Sequence, residues 1–237
     1  MLSKSKAKPA PSKPAGPASA RLSNARIVGA AMRIADGEGL QAISMRRIAG
    51  ELGAGAMSLY RHVSGKDQIL DLLLDAAYGE ISVPDVPSGN WREDLRSLAR
   101  QTRGVLKRHW WLGPLLTTRP TFGPNYLRWF EFQLASTGAA GLDMQARTRA
   151  IGTVFAYVAG VVGYELGEEE SNRRHNLTPE RKRELAAPLL ASILATRLYP
   201  NLAQFVEVGD AEPTDESFEF GLGCVLEGVA AHTMPGK

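Results

Sequence analysis

Cysteine is nearly missing from these 237 residues: Cys224 stands alone, so no internal disulfide can staple the chain, and a reducing cytoplasm suits it. The N-terminus lacks the apolar run of a secretory signal, and none is expected. Nor does any stretch read as the roughly 20 apolar residues that span a bilayer. The longest weakly polar run, residues 151–166, contains Thr153, Tyr157 and Tyr164 and is read as a buried core helix, so no membrane partner is expected. Signatures of catalysis are missing as well: no G-x-G-x-x-G, no G-x-x-x-x-G-K, no H-E-x-x-H, no G-x-S-x-G and no cysteine pair. The histidines, at 62, 109, 175 and 232, are scattered, and His109 and His175 are expected to face solvent or cap helix ends. No enzyme, cofactor or metal site is expected. Sustained period-two alternation is absent too, so strands are not expected and the fold class is all-α.

What is present is a globular composition with an uneven charge. Hydrophobic residues make up 44% and charged residues 22%, enough to bury a core and close to the soluble average. The net charge of +3 divides into +8 over residues 1–66 and −5 over the remainder. A basic front on a mildly acidic body is the footprint of a segment that neutralises phosphates and releases counterions from nucleic acid.

Along the chain, residues 1–20 are almost wholly Ser, Lys, Ala, Pro and Gly and are expected to form a disordered basic tail whose Lys4, Lys6, Lys8 and Lys13 brush phosphates or are merely solvated. Helical spacing then begins at Ser23, with Ile27, Ala30, Ala31, Ile34 and Ala35 on one face and Gly37 and Gly39 ending the run. Ser44 offers an N-cap to a short helix over 45–52, Gly53 breaks it, and a second short helix is predicted over 56–63. Ser64 to Asp67 match the Ser-x-x-Asp capping box of a further helix through Ile69, Leu70, Leu73 and Leu74. Beyond the Pro and Gly cluster at 83–90, helices are predicted at about 91–109, 123–138, 143–167, 179–198 and 214–232. Residues 167–176 read as a charged surface loop before the Thr178 cap and Pro179.

Two short helices that cross tightly need a small residue where they meet, a turn tolerant of positive φ and an apolar anchor; Ala49, Gly53 and Leu59 fill those places, with Ile48, Leu52 and Val63 beneath. The segment from Ser44 to Asp67, SMRRIAGELGAGAMSLYRHVSGKD, resembles the DNA-binding motif of the tetracycline-repressor (TetR) family. It has the Ser start, the Arg, the apolar-Ala pair, Leu-Gly, Leu-Tyr-x-His-apolar and Lys before an acid. From Trp91 to Leu142 the body resembles the family's C-terminal domain, including the string Thr118-Arg119-Pro120-Thr121.

The resemblance implies a three-helix DNA-binding domain over 21–67 and a helical ligand-binding and dimerisation domain over 68–237. Its second short helix would enter the major groove, with Met57, Ser58 and Arg61 outward, Tyr60 and His62 on the shoulders and Ala56 toward the inner face. Family positions matching Tyr60, His62 and Lys66 contact phosphate, and the one matching Arg46 reaches guanine. The expected DNA-binding residues are therefore Ser44, Arg46, Ala56, Met57, Ser58, Tyr60, Arg61, His62 and Lys66, with double-stranded operator DNA as partner. Because one such helix covers a half-site, a homodimer on a pseudopalindrome is implied. Phe218, Leu222, Val225, Leu226 and Val229, with Gly221, Gly223 and Gly228, form one stripe for it, and Leu185, Leu189 and Ile193 a second.

Trp110, Trp111, Phe122, Tyr126, Trp129, Phe130, Phe155 and Tyr164 suit an apolar pocket for an unidentified small-molecule inducer. The family's founding member holds magnesium and drug through a His just before the Thr-Arg-Pro-Thr string, where this chain has Leu115, Leu116 and Thr117, so that complex is not expected. The implied function is a transcriptional regulator, a repressor released by its inducer. An architectural DNA binder without ligand control is the alternative, and a helical enzyme the remote one.

Overall fold

The computed structural model describes residues 22–119, 122–208 and 214–233 and contains, among them, helices and no strand. The expected basic tail, and Pro120 and Thr121, lie outside the described residues.

The first helix, α1 (Asn24–Glu38), starts where the Ser23 hydroxyl accepts from the Arg26 amide and buries the predicted face of Ile27, Ala30, Ala31, Ile34 and Ala35. It stops at Gly39, whose φ of 81° interrupts the helical ladder. After a single 3-10 turn, Leu40–Ala42, Ser44 caps α2 (Met45–Leu52) by accepting from the Arg47 amide at 3.1 Å. Gly53 then takes the left-handed conformation, φ 63°, and the Ala54 amide donates to the Ala49 carbonyl at 2.9 Å, which closes the turn into α3. The helix predicted to reach Val63 is regular only over α3 (Ala56–Leu59). The His62 and Val63 amides both donate to the Leu59 carbonyl, at 2.8 and 3.0 Å, so the ladder closes on one acceptor and goes no further. Leu59 and Val63 are nevertheless buried, as the spacing requires.

The expected capping box of α4 (Lys66–Tyr78) is replaced. Gly65 is the N-cap, Gln68 reaches back to accept the Ser64 amide at 2.6 Å, and Asp67 is drawn aside to Arg119. This helix is shared structure: it packs on α1 in front and on α5 and on two later helices behind.

Those belong to the body: α5 (Trp91–Arg108), α6 (Leu112–Thr118), α7 (Pro124–Ala139), α8 (Met144–His175), α9 (Pro179–Ala195), α10 (Pro200–Val208) and α11 (Asp215–Thr233). Helix α4 touches α6 and α7; α8 lies centrally, against α5, α7 and α11; α9 packs with α10. The sequence predicts neither short α6 nor short α10, and the charged segment expected as a loop after 167 is the last part of α8. Glu170 pairs there with Arg173 and Arg174 one turn on, basic residues occupy the last turn, and left-handed Asn176 ends it. The run 151–166 thus sits inside a 32-residue helix that, by length and composition alone, could cross a membrane. Its Ile151, Val154, Val158 and Val162 are buried against neighbouring helices, as a core helix would be.

The stripes expected to pair two subunits behave differently. Phe218, Leu222, Leu226 and Val229 are buried, and Val225 half-buried, within the protomer: α11 uses that face on α8. Gly221 permits it, since a Cβ there would overlap the Tyr157 ring, whose hydroxyl donates to the Phe218 carbonyl at 2.8 Å. By contrast Leu185 and Leu189 on α9 are exposed.

Candidate nucleic-acid interface and effector cavity

Adjacent arginines at the start of α2 are used in opposite ways. Arg47 turns along the head, donating to Glu38 at 2.6 Å and Glu51 at 3.1 Å, and those carboxylates raise its pKa. Arg46 is exposed and has no ion-pair partner among the described residues, so its fork is available to a ligand outside the protein. Further along the chain, Met57 is 79% exposed and Tyr60 50% exposed, while Leu59 between them is fully buried. Arg61 is exposed, and its guanidinium lies 3.4 Å from the Ser58 hydroxyl; Ser58, Ala56 and His62 are half-buried. The Lys66 ammonium, at the start of α4, is 3.5 Å from the Leu40 carbonyl and otherwise faces solvent. Ser44 is committed to its cap. The sequence-predicted residues therefore fall on the turn-and-helix segment 44–66, with Arg46, Met57, Tyr60, Arg61 and Lys66 exposed and Ala56, Ser58 and His62 half-buried.

At the far end of α4 the aromatic residues gather. A cavity of about 350 Å³ is lined by Tyr78, Leu116, Arg119, Phe122, Tyr126, Trp129, Phe130, Thr148, Ile151, Gly152 and Phe155. Its wall is a set of packed rings: Tyr126 and Phe130 are nearly parallel at 5.9 Å, and Tyr78 stands edge-on to Tyr126 at 5.1 Å. Burial pushes the hydroxyls of Tyr78 and Tyr126 upward in pKa, keeping them neutral donors. Spacing alone missed Tyr78 and Arg119, although Arg119 stands in the string that carried the resemblance. A second cavity, about 500 Å³, adjoins through Arg119 and Phe122 and is lined also by Asp71 and Asp75.

Three aromatics expected at a ligand pocket lie elsewhere. Tyr164 is exposed beside a separate groove between α8 and α11. Trp110 and Trp111 face α1, donating to the Asp36 carbonyl at 3.2 Å and the Asp36 carboxylate at 2.7 Å. His109, expected at the surface, is 2% exposed. Its Nδ1 is 2.7 Å from Asp36 and its Nε2 3.0 Å from Glu80, so carboxylates from α1 and from the segment after α4 face both ring nitrogens. His109, Trp110 and Trp111 together bind head to body. His175 is exposed at the end of α8.

Comparison with known proteins agrees with these features. A model of bacterial regulatory proteins of the tetR family matches residues 27–73, and one of the tetracyclin repressor-like C-terminal domain matches residues 83–233. The chain is 38% identical over 205 residues to the HTH-type transcriptional repressor DrrR1 of Streptomyces coeruleorubidus, covering 86% of this chain and 76% of that protein. It is 40% identical over 174 residues to an HTH-type transcriptional regulator of Saccharopolyspora erythraea, covering 72% and 74%. Among solved structures, the Streptomyces coelicolor TetR family protein ActR in complex with actinorhodin superposes with a TM-score of 0.75 at 28% identity, covering 90% of this chain and 98% of that one.

Proposed function

We infer the function from one premise: the chain belongs to the tetR family of bacterial regulatory proteins. It is a DNA-binding transcriptional regulator, and the reading developed here is a repressor that a small molecule releases from its operator. The observation that carries this is the path of α4, with the outward Lys66 of the reading head at one end and the cavity residue Tyr78 at the other. A ligand that alters the packing around Tyr78 acts on the helix that holds the head, so binding and release of DNA are coupled through one rigid element. That ActR has been solved in complex with actinorhodin supports a small-molecule inducer, which we place in the aromatic cavity.

On DNA we assign base reading to Arg46, Met57, Ser58 and Arg61, with Ala56 available to a thymine methyl, and backbone contact to Ser44, Tyr60, His62 and Lys66. Phe122, Tyr126, Trp129, Phe130 and Phe155 are assigned to the inducer. The head spans residues 21–67 and the body 68–237, joined within α4. The working unit is a homodimer in the cytoplasm, a regulator and not an enzyme, with no membrane partner.

The test is selection of operators from random DNA by the purified full chain, followed by thermal-shift screening for compounds that release the selected DNA. A pseudopalindrome with half-sites about one helical turn apart is expected. A steep salt dependence with no preference over random DNA would instead identify a non-specific, architectural binder.

A further inference from the structure

We propose that the corner between α5 and α6 is a proton-dependent latch: the imidazolium form of His109, clasped between Asp36 and Glu80, fixes the reading head on the body, and loss of its proton loosens the head and weakens operator binding. The latch is a property of the free chain; its effect on DNA rests on the regulator reading above.

The backbone presents the ring rigidly. The His109 amide donates to the Val105 carbonyl at 2.9 Å and closes α5, while its carbonyl accepts the Leu112 amide at 2.8 Å and opens α6. The buried ring has a carboxylate oxygen on either side: Asp36, near the end of α1, 2.7 Å from Nδ1, and Glu80, from the segment after α4, 3.0 Å from Nε2. Each carboxylate serves a second donor as well. The Trp111 indole donates to the same Asp36 oxygen at 2.7 Å, and Arg108, beside His109 on α5, pairs with the other oxygen of Glu80. Asp36, Glu80 and Arg108 are thus the charged groups that face the site.

A neutral imidazole has one N–H and one lone pair, so it satisfies one of two acceptors; the doubly protonated ring donates to both. Removing that proton sets a ring lone pair against a carboxylate at hydrogen-bond distance and takes the positive charge from between two anions. The Asp36 and Glu80 side chains are 35% and 33% exposed, so water at the rim carries the proton to and from the site.

What the latch holds is the end of α1. Trp110 donates to the Asp36 backbone carbonyl at 3.2 Å and lies over Gly39, where a Cβ would come within 3.0 Å of its ring. From Gly39 the chain runs through the turn Leu40–Ala42 into the Ser44 cap and Arg46. A head free to swing lowers the effective concentration of the second head at its half-site. The operator therefore favours the latched, protonated form, and by reciprocity the proton favours the operator. This contribution is present while the ring is charged and is lost as pH rises.

The experiment follows the full chain from about pH 5.5 to about pH 8.5, a span that brackets ordinary histidine titration. Without DNA, amide hydrogen exchange of residues 34–39, corrected for the intrinsic rate at each pH, reads the latch; fluorescence anisotropy with the selected operator reads binding. Across that span the wild type is expected to lose protection and operator affinity by about tenfold more than His109→Gln, the scale of one hydrogen bond to a charged group. Comparison at each pH removes the titration of the other histidines, which all the chains share. In Glu80→Gln the side-chain oxygen stays with Arg108 and the amide donates to a neutral Nε2, while Nδ1–H keeps Asp36. That variant should retain at the upper pH the protection and affinity that the wild type has only at the lower, a gain that mere loss of packing would not give. It decides the question even where His109→Gln does not fold. Protection in the wild type that does not change with pH, a Glu80→Gln profile that follows the wild type, or operator affinity that ignores the change in protection overturns the proposal. If no operator emerges, the regulator reading falls, and the DNA-free exchange still decides the latch.

Discussion

Gly53 and Arg46 show how differently single residues carry meaning in this chain. The need for glycine at 53 comes from its backbone: φ is 63° and a Cβ would meet no neighbour, so conformation and not space demands it. Gly53→Ala should lower stability by about 1 kcal/mol, read as a drop in Tm, because a Cβ is disfavoured in the left-handed region. An unchanged Tm would show that the turn relaxes. That requirement was legible from spacing. The division between Arg46 and Arg47 was legible only by resemblance, since the acids that hold Arg47 come from different elements, Glu38 and Glu51. Arg46→Ala should relax discrimination at one base position per half-site, at a cost of about 1–3 kcal/mol against the preferred operator. A uniform loss over all sequences would assign Arg46 to phosphate instead. The role of His109 was not legible at all: its carboxylate neighbours, Asp36 and Glu80, lie far away in sequence, and helix-end spacing alone reads as a surface position.

Helices announce themselves by periodicity, capping and flanking Gly or Pro, and α1, α2, α5, α7, α9 and α11 lie within a few residues of where the sequence puts them. Other elements carry sparse or ambiguous local signals. Helix α6 has barely two turns and holds Gly113 and Pro114 near its start, residues that read as breakers; α10 is short and has only a proline at its first position to announce it. The charge density at the end of α8 resembles a loop, yet Glu170, Arg173 and Arg174 are spaced as helix pairs. What no local rule supplies is how one element grips another. Asp75 on α4 accepts from the Asn125 and Tyr126 amides and from the Asn125 side chain, each at 3.0 Å, so it caps α7 from a different helix. Gly123 makes room for it, because a Cβ there would overlap the carboxylate. Asp75→Asn puts an amide N–H₂ among donors, and a loss of about 1–3 kcal/mol in unfolding free energy is expected by denaturant titration. The loss should come with weaker coupling between ligand and DNA, since the α4–α7 joint loosens. A stable variant with full coupling would show that the joint is held by apolar packing alone.

For the molecule as a whole, the inward turn of the α11 stripe moves the proposed subunit interface to the faces left outside. On α8 these are Gly152, Ala156, Gly160, Gly163 and Tyr164, all exposed, and on α11 Phe220, 75% exposed, and Cys224. A glycine-rich face on a long central helix lets a second helix approach closely, and an exposed phenylalanine beside it is apolar surface that water disfavours. The proposed function calls for the pairing, because a single reading head spans one half-site and the affinity of two joined heads multiplies. Phe220→Arg places a charge on that face without disturbing Phe218, Leu222 or Leu226, which hold α11 to α8. The variant should sediment as a monomer, retain its helical circular dichroism and bind the operator at least about 100-fold more weakly, the scale of avidity lost when two modules are separated. Its single-half-site affinity should stay at the wild-type value. A variant that remains dimeric, or a monomer that keeps full operator affinity, would place the interface on another surface, of which exposed Leu185 and Leu189 on α9 are the next candidate.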